Sequence, residues 1–190
     1  LSLGDHGYLD ELGHLHILDR QEDVITNTDG EIIYPRLVEN ELKSSPYIQE
    51  AVCFGKDKPY MTAILNIDMN SVGRWADKNR ILYTEYSDLS RNPKVVELIE
   101  QQVEQLMSKL SPQNRVKKFS ILHKQFTADQ GELTRTLKIR RNFVEQKYKI
   151  LLDGMYSDTQ EVSLTSSQTE SVEEEVSLRV IQLKIEQGVA

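Results

Sequence analysis

Two apolar runs constrain this chain more than any other feature. Ile48 to Phe54 closes on Gly55, Lys56-Asp57-Lys58-Pro59 turns the chain, and Met61 to Ile67 follows. Short apolar runs bounded by turn residues read as strands, and two so close together predict an antiparallel pair. The second run is apolar at nearly every position, so much of its surface is expected to be buried.

The neighbouring sequence supplies helices. Pro35 fits the first turn of a helix, where its missing N–H costs nothing, with Leu37, Val38 and Leu42 facing inward and Glu39 and Glu41 outward. Ser44-Ser45-Pro46 ends it. Asp68 or Asn70 is placed to cap a helix through Val72, Trp75 and Ala76. Residues 82–92 read as irregular. Asn92-Pro93 opens the longest helix, with Val95, Val96, Ile99, Val103, Leu106, Met107 and Leu110 on one stripe, and Ser111-Pro112 closes it. Val116 to Leu122 alternates as a third strand with Phe119 and Ile121 inward. A last helix is expected from about Asn142 to Leu152. Upstream, residues 7–19 read as a hairpin turning through Glu11-Leu12-Gly13. The expected fold class is α+β: a small three-stranded sheet with about three helices, preceded by a β-hairpin and followed by a flexible acidic tail.

Composition narrows the function classes. The chain has 190 residues and a net charge of −7, which argues against a general nucleic-acid binder. Seven of the acids and two of the bases lie in residues 157–190, so the body is nearly neutral. Residues 157–171 are rich in Ser and Thr and lack aromatics, a composition that predicts no regular structure. Val176 to Ile185 could be an amphipathic strand or short helix, with no evident partner in the body. Cys53 lies alone in an apolar run, which suits a buried thiol and a reducing, cytoplasmic setting. No apolar run reaches 18 residues. His14 and His16 fall on one face of a strand, but no third metal ligand is near in sequence. The chain opens in mid-pattern without Met, as a piece of a longer protein would.

One stretch invites a chemical reading. In Leu133-Thr134-Arg135-Thr136-Leu137-Lys138-Ile139-Arg140-Arg141, a single lysine sits between two apolar residues, downstream of the turn Asp129-Gln130-Gly131. Such a lysine can deliver a point charge to a phosphate or carboxylate. It can equally be a solvated basic edge.

Four segments in order settle on a family. Gly4-Asp5-His6-Gly7-Tyr8, Leu18-Asp19-Arg20-Gln21-Glu22-Asp23-Val24-Ile25, Gly30 with Tyr34-Pro35 and Glu39, and Leu133 to Lys138 together resemble the C-terminal part of AMP-forming acyl-adenylating enzymes, over roughly residues 1–156. Phe126-Thr127 before the lysine, and Phe143-Val144-Glu145 with Tyr148 after it, look most like the long-chain fatty acyl-CoA synthetase branch. The resemblance implies three parts: residues 1–21 as hairpin and hinge segment, 22–156 as a mobile C-terminal domain, and 157–190 as tail. It implies that Asp5 holds the adenylate ribose, that Arg20 contacts ribose and phosphate, and that Glu22 is the hinge. Lys138 would be the catalytic lysine of adenylation, and Gly30 would belong to the loop that lines the thiol channel. The family usually has Asp or Lys at the hinge position, and often Gly where Leu137 stands.

The implied reaction joins a fatty acid to CoA through an acyl-adenylate. ATP, Mg²⁺ and the acyl chain would be bound mainly by an N-terminal domain upstream of Leu1, the partner on which this domain moves and through which it could meet a membrane. The fragment alone is expected to be inactive. The alternatives are an adenylating enzyme that loads a carrier protein and a non-catalytic interaction module built around the acidic tail.

Overall fold

The computed structural model describes residues 5–20, 23–165 and 175–184, with the side chains of Asp5, His16, Leu18, Asp19, Arg20, Thr165 and Glu175 outside the description. The hairpin is β1 (Asp5–Leu9) and β2 (Leu15–Arg20). A second, two-residue ribbon pairs β3 (Ile25–Thr26) with β4 (Ile32–Ile33). Helix α1 (Pro35–Leu42) leads into β5 (Ile48–Phe54) and β6 (Met61–Ile67), which pair antiparallel as their spacing predicts. Then come α2 (Met69–Lys78), α3 (Tyr86–Arg91), α4 (Pro93–Met107) and β7 (Val116–Ile121), which lies parallel to β6.

Local chemistry sets several boundaries. The Asp68 carboxylate accepts from Ser71 N at 2.8 Å at the start of α2, and Asn92 Oδ1 accepts from Lys94 N at 3.0 Å at the start of α4. Residues 82–92 are not wholly irregular. Asp88 Oδ2 accepts from the backbone N–H groups of Thr84 and Glu85, which starts α3. The helix expected over 142–152 is two helices, α5 (Arg141–Lys147) and α6 (Lys149–Met155), separated at Tyr148.

Alternation in the central strands gives the sheet two faces. Ala51, Cys53, Ala63, Leu65, Phe119 and Ile121 pack with Val38, Leu42, Val72, Ala76, Ile99 and Val103 of the helical layer. Val52, Phe54, Ile64 and Leu122 pack on the other side with Val144, Tyr148, Leu151 and Met155. Both faces are covered, which is why β6 reads as one apolar run rather than an alternating one.

The tail departs from expectation. β8 (Glu161–Thr165) and β9 (Glu175–Arg179) form an antiparallel hairpin, so residues 157–171 are not without regular structure; residues 166–174 lie outside the description. Val162, Val176 and Leu178 are buried in the second core, so the described part of the stretch expected from Val176 to Ile185 does find a partner in the body; Ile185 lies outside the description. β10 (Ile181–Gln182) pairs with β7 and makes the expected three-stranded sheet four-stranded, in the order β10-β7-β6-β5. The apolar alternation of these few residues outweighs the polar average around them, because a matching apolar surface exists on α6 and the sheet.

Candidate functional site

Two loops carry the candidates Lys138 and Gly30. The first is the Lys138 hairpin. Its stem closes through a bridge between Leu133 and Ile139 and through Thr134 N to Lys138 O at 2.8 Å. Its tip is tied by Leu137 N to Thr134 O at 2.9 Å and by Lys138 N to Thr134 Oγ1 at 3.0 Å. Leu137 takes φ +58°, a left-handed conformation that an L side chain disfavours. That is a physical reason for glycine to be common there in the family the sequence resembles. Lys138 is exposed, and among the described residues no carboxylate lies within ion-pair distance of it.

The base of this hairpin is held firmly. Glu132 is fully buried. Its Oε1 accepts from Lys147 Nζ at 2.7 Å and from Tyr148 Oη at 3.1 Å, and its Oε2 from Thr127 N at 3.1 Å. Its backbone oxygen accepts from Arg140 N at 2.8 Å. Burial alone would push the Glu132 carboxyl up, but the hydrogen bonds from Lys147 and Thr127 outweigh it and hold it below its ordinary value. Gly131, at φ +84°, lies so close to the Phe143 ring that a Cβ there would sit 2.8 Å from its Cζ.

The second loop runs between β3 and β4. Asn27 organises it: Oδ1 accepts from Asp29 N at 3.0 Å and Glu31 N at 2.8 Å, while Nδ2 donates to Glu31 Oε2 at 2.9 Å. Gly30 is exposed at the turn with φ +79°. Thr28 N donates to Lys58 O at 3.1 Å, which fastens the loop to the β5–β6 turn. A recess of about 530 Å³ beside it is lined by Arg115, Lys117 and Lys118, with Asp29, Glu31 and Asp158 balancing their charge.

One buried ion pair joins the elements that follow the two loops. Glu39 of α1 is not outward-facing as its helical position suggested. Its two oxygens accept from Arg141 Nη1 at 2.6 Å and Nη2 at 2.9 Å, and Arg141 opens α5 just past the lysine hairpin. Glu39 Oε1 also accepts from Cys53 N at 2.8 Å, and Arg141 Nη1 donates to Cys53 O at 2.6 Å. Cys53 lies on β5, an edge strand, so the pair satisfies backbone groups that the sheet leaves open. Burial pushes the Glu39 carboxyl above its ordinary value, and the guanidinium offsets part of that rise.

In the hairpin, Asp5 and Arg20 are register partners across β1 and β2, so the backbone brings these two candidates together. Glu22 lies outside the described residues. His14 Nδ1 is 3.1 Å from Asp10 Oδ2, and among the described residues no group of three or more His, Cys, Asp or Glu side chains could hold a metal. Sequence reasoning missed Glu39, Arg141, Asn27 and Glu132 as organisers of the site. Helical spacing placed Glu39 on the outward face of α1, so the one available signal for it was its place in the Gly30, Tyr34-Pro35 and Glu39 segment of the family resemblance.

Comparison with known proteins places this geometry. The family model described as AMP-binding enzyme C-terminal domain matches residues 22–160. The chain belongs to that family. It is 32% identical over 155 residues to the long-chain-fatty-acid–CoA ligase FadD15 of Mycobacterium tuberculosis, covering 81% of this chain and 26% of that protein. It is 30% identical over 174 residues to the human long-chain-fatty-acid–CoA ligase ACSBG2, covering 82% of this chain and 26% of that protein. This AMP-binding C-terminal domain thus spans about a quarter of the length of these relatives. Among solved structures, the adenylation domain of a carboxylate reductase from Mycobacterium chelonae superposes with a TM-score of 0.63 at 21% identity, over 82% of this chain and 23% of that one, which shows the shared fold.

Proposed function

We propose that this domain is the mobile C-terminal part of a long-chain fatty acid–CoA ligase. Such an enzyme converts a carboxylate and ATP to an acyl-adenylate and pyrophosphate, then passes the acyl group to the CoA thiol. The observation that carries this reading is an exposed lysine at the tip of a pinned hairpin, in a chain similar along most of its length to long-chain ligases. With no carboxylate beside it among the described residues, the Lys138 ammonium is free to meet the substrate carboxylate and α-phosphate. Asp5 and Arg20, opposite each other on the hairpin, hold the adenylate ribose; Glu22 is the hinge, and Gly30 lies in the loop that lines the thiol channel. Residues 1–21 then join the domain to its N-terminal partner, which binds ATP, the fatty acid and Mg²⁺. No residue described here is assigned to the metal. The names of the relatives favour CoA over a carrier protein as acceptor. The setting is cytoplasmic, with any membrane contact made through the N-terminal domain.

Lys138→Ala in the complete ligase tests the reading. ATP–pyrophosphate exchange should fall roughly 10²–10³-fold, as on loss of one preorganised electrostatic donor. Thioester formation from pre-made acyl-adenylate should persist. Full exchange in the variant, or equal loss of both steps, would remove the assignment.

A further inference from the structure

Glu132 is a carboxylate with no solvent-exposed surface, and packing alone does not explain it. Removing a carboxylate from water is costly, and well-packed apolar groups often replace buried ions without loss of stability. Its four interactions share one geometric effect. The two oxygens fasten the arm leading into the hairpin to Thr127 behind it, to Lys147 at the end of α5 and to Tyr148 between α5 and α6. The backbone oxygen fastens the arm leaving the hairpin through Arg140 N. Both arms are therefore referred to one buried point, six residues before Lys138. The tip beyond it is exposed from Arg135 to Lys138 and is held mainly by its own turn hydrogen bonds.

We propose that Glu132 is the positioning residue for Lys138, setting where the ammonium stands during adenylation without touching substrate. The proposal rests on the reading of Lys138 given above. A hairpin pivoting about an unpinned base moves its tip by more than its base, and misplacing a reacting group by about 1 Å can cost about 10²-fold in rate. The hairpin has no such duty once the thioester step begins, so the effect belongs to one half-reaction.

The test uses the complete ligase carrying Glu132→Ala, Lys138→Ala, or both. Glu132→Ala should lower pyrophosphate exchange by up to about 10²-fold, through kcat rather than the KM for ATP, while thioester formation from pre-made acyl-adenylate is unchanged. In the Lys138→Ala background, Glu132→Ala should add no further loss, because the group it positions is gone. Glu132→Gln, which keeps the side-chain shape and one acceptor oxygen, should fall between wild type and Glu132→Ala; it is the variant to read if the alanine protein does not fold. An equal loss in both backgrounds, or a parallel fall of both half-reactions, would overturn the positioning role. Full exchange in both Glu132 variants with loss in Lys138→Ala would also overturn it and leave the Lys138 reading standing. Full exchange in Lys138→Ala would instead remove the Lys138 reading itself.

Discussion

Glu39→Met should destabilise this domain severely, and adding Arg141→Met should repair only part of the damage. The two side chains are 26% exposed for Arg141 and 11% for Glu39, so screening by water is modest. Removing the carboxylate leaves the guanidinium without its partner, which costs about 3–5 kcal/mol for a buried pair. At roughly 2–4 °C per kcal/mol for a domain of this size, a loss of about 4 kcal/mol lowers Tm by roughly 8–16 °C. For most buried ion pairs, replacing both partners by apolar groups restores stability. Here it should not, because the pair also satisfies Cys53 N and Cys53 O on an edge strand. Each buried backbone group left without a partner costs about 1–3 kcal/mol. The variant carrying both Glu39→Met and Arg141→Met should therefore remain about 2 kcal/mol or more below wild type. Urea unfolding of the 190-residue chain, followed by circular dichroism for wild type, both single variants and the double, measures this. A double variant as stable as wild type would refute the edge-strand argument, and a Glu39→Met loss below about 1 kcal/mol would refute the claim that the pair matters at all.

Leu137→Gly should raise the urea midpoint slightly. It relieves a left-handed φ worth about 1–2 kcal/mol, set against about 0.4–1 kcal/mol of extra unfolded-chain entropy, and Leu137 is 70% exposed so little burial is lost; a lower midpoint would contradict the strain. His123 should make the fold acid-sensitive. Burial, with Lys124 and Arg91 nearby, pushes its pKa down to about 4 from 6.5, and its Nδ1 is buried without a hydrogen-bond partner. The unfolded chain then binds a proton that the folded chain refuses between about pH 6.5 and 4, so stability contributed by neutral His123 is present above that window and lost as pH falls through it. His123→Leu should lose less stability than wild type between about pH 7 and 4.5, and an identical loss would show that His123 does not titrate as described.

Much of this molecule is written in short-range signals. Asp68, Pro35 and the pair Asn92-Pro93 mark three helix starts by chemistry that acts within three residues, and the structure keeps all three boundaries. The β5–β6 pair and the hairpin at residues 5–20 follow from strand period and turn residues in the same way. The exposure of Lys138 was also legible, because an isolated lysine beside a glycine turn rarely offsets the cost of burial. The tertiary structure alone decided what depends on a partner far along the chain. Glu39 looked like a solvated helix residue until the fold brought Arg141 to it from 102 positions away. Asn66 was an ordinary strand residue until its amide took Phe126 N and Lys124 O, 60 and 58 positions on. Residues 157–171 looked unstructured because their average composition is polar, and Val176 to Ile185 looked partnerless, yet Val162, Val176 and Leu178 meet an apolar surface that exists only once α6 and the sheet have formed. Local sequence reports the preferences of a segment, whereas the free energy of a buried contact depends on the surface opposite, which only the folded chain presents.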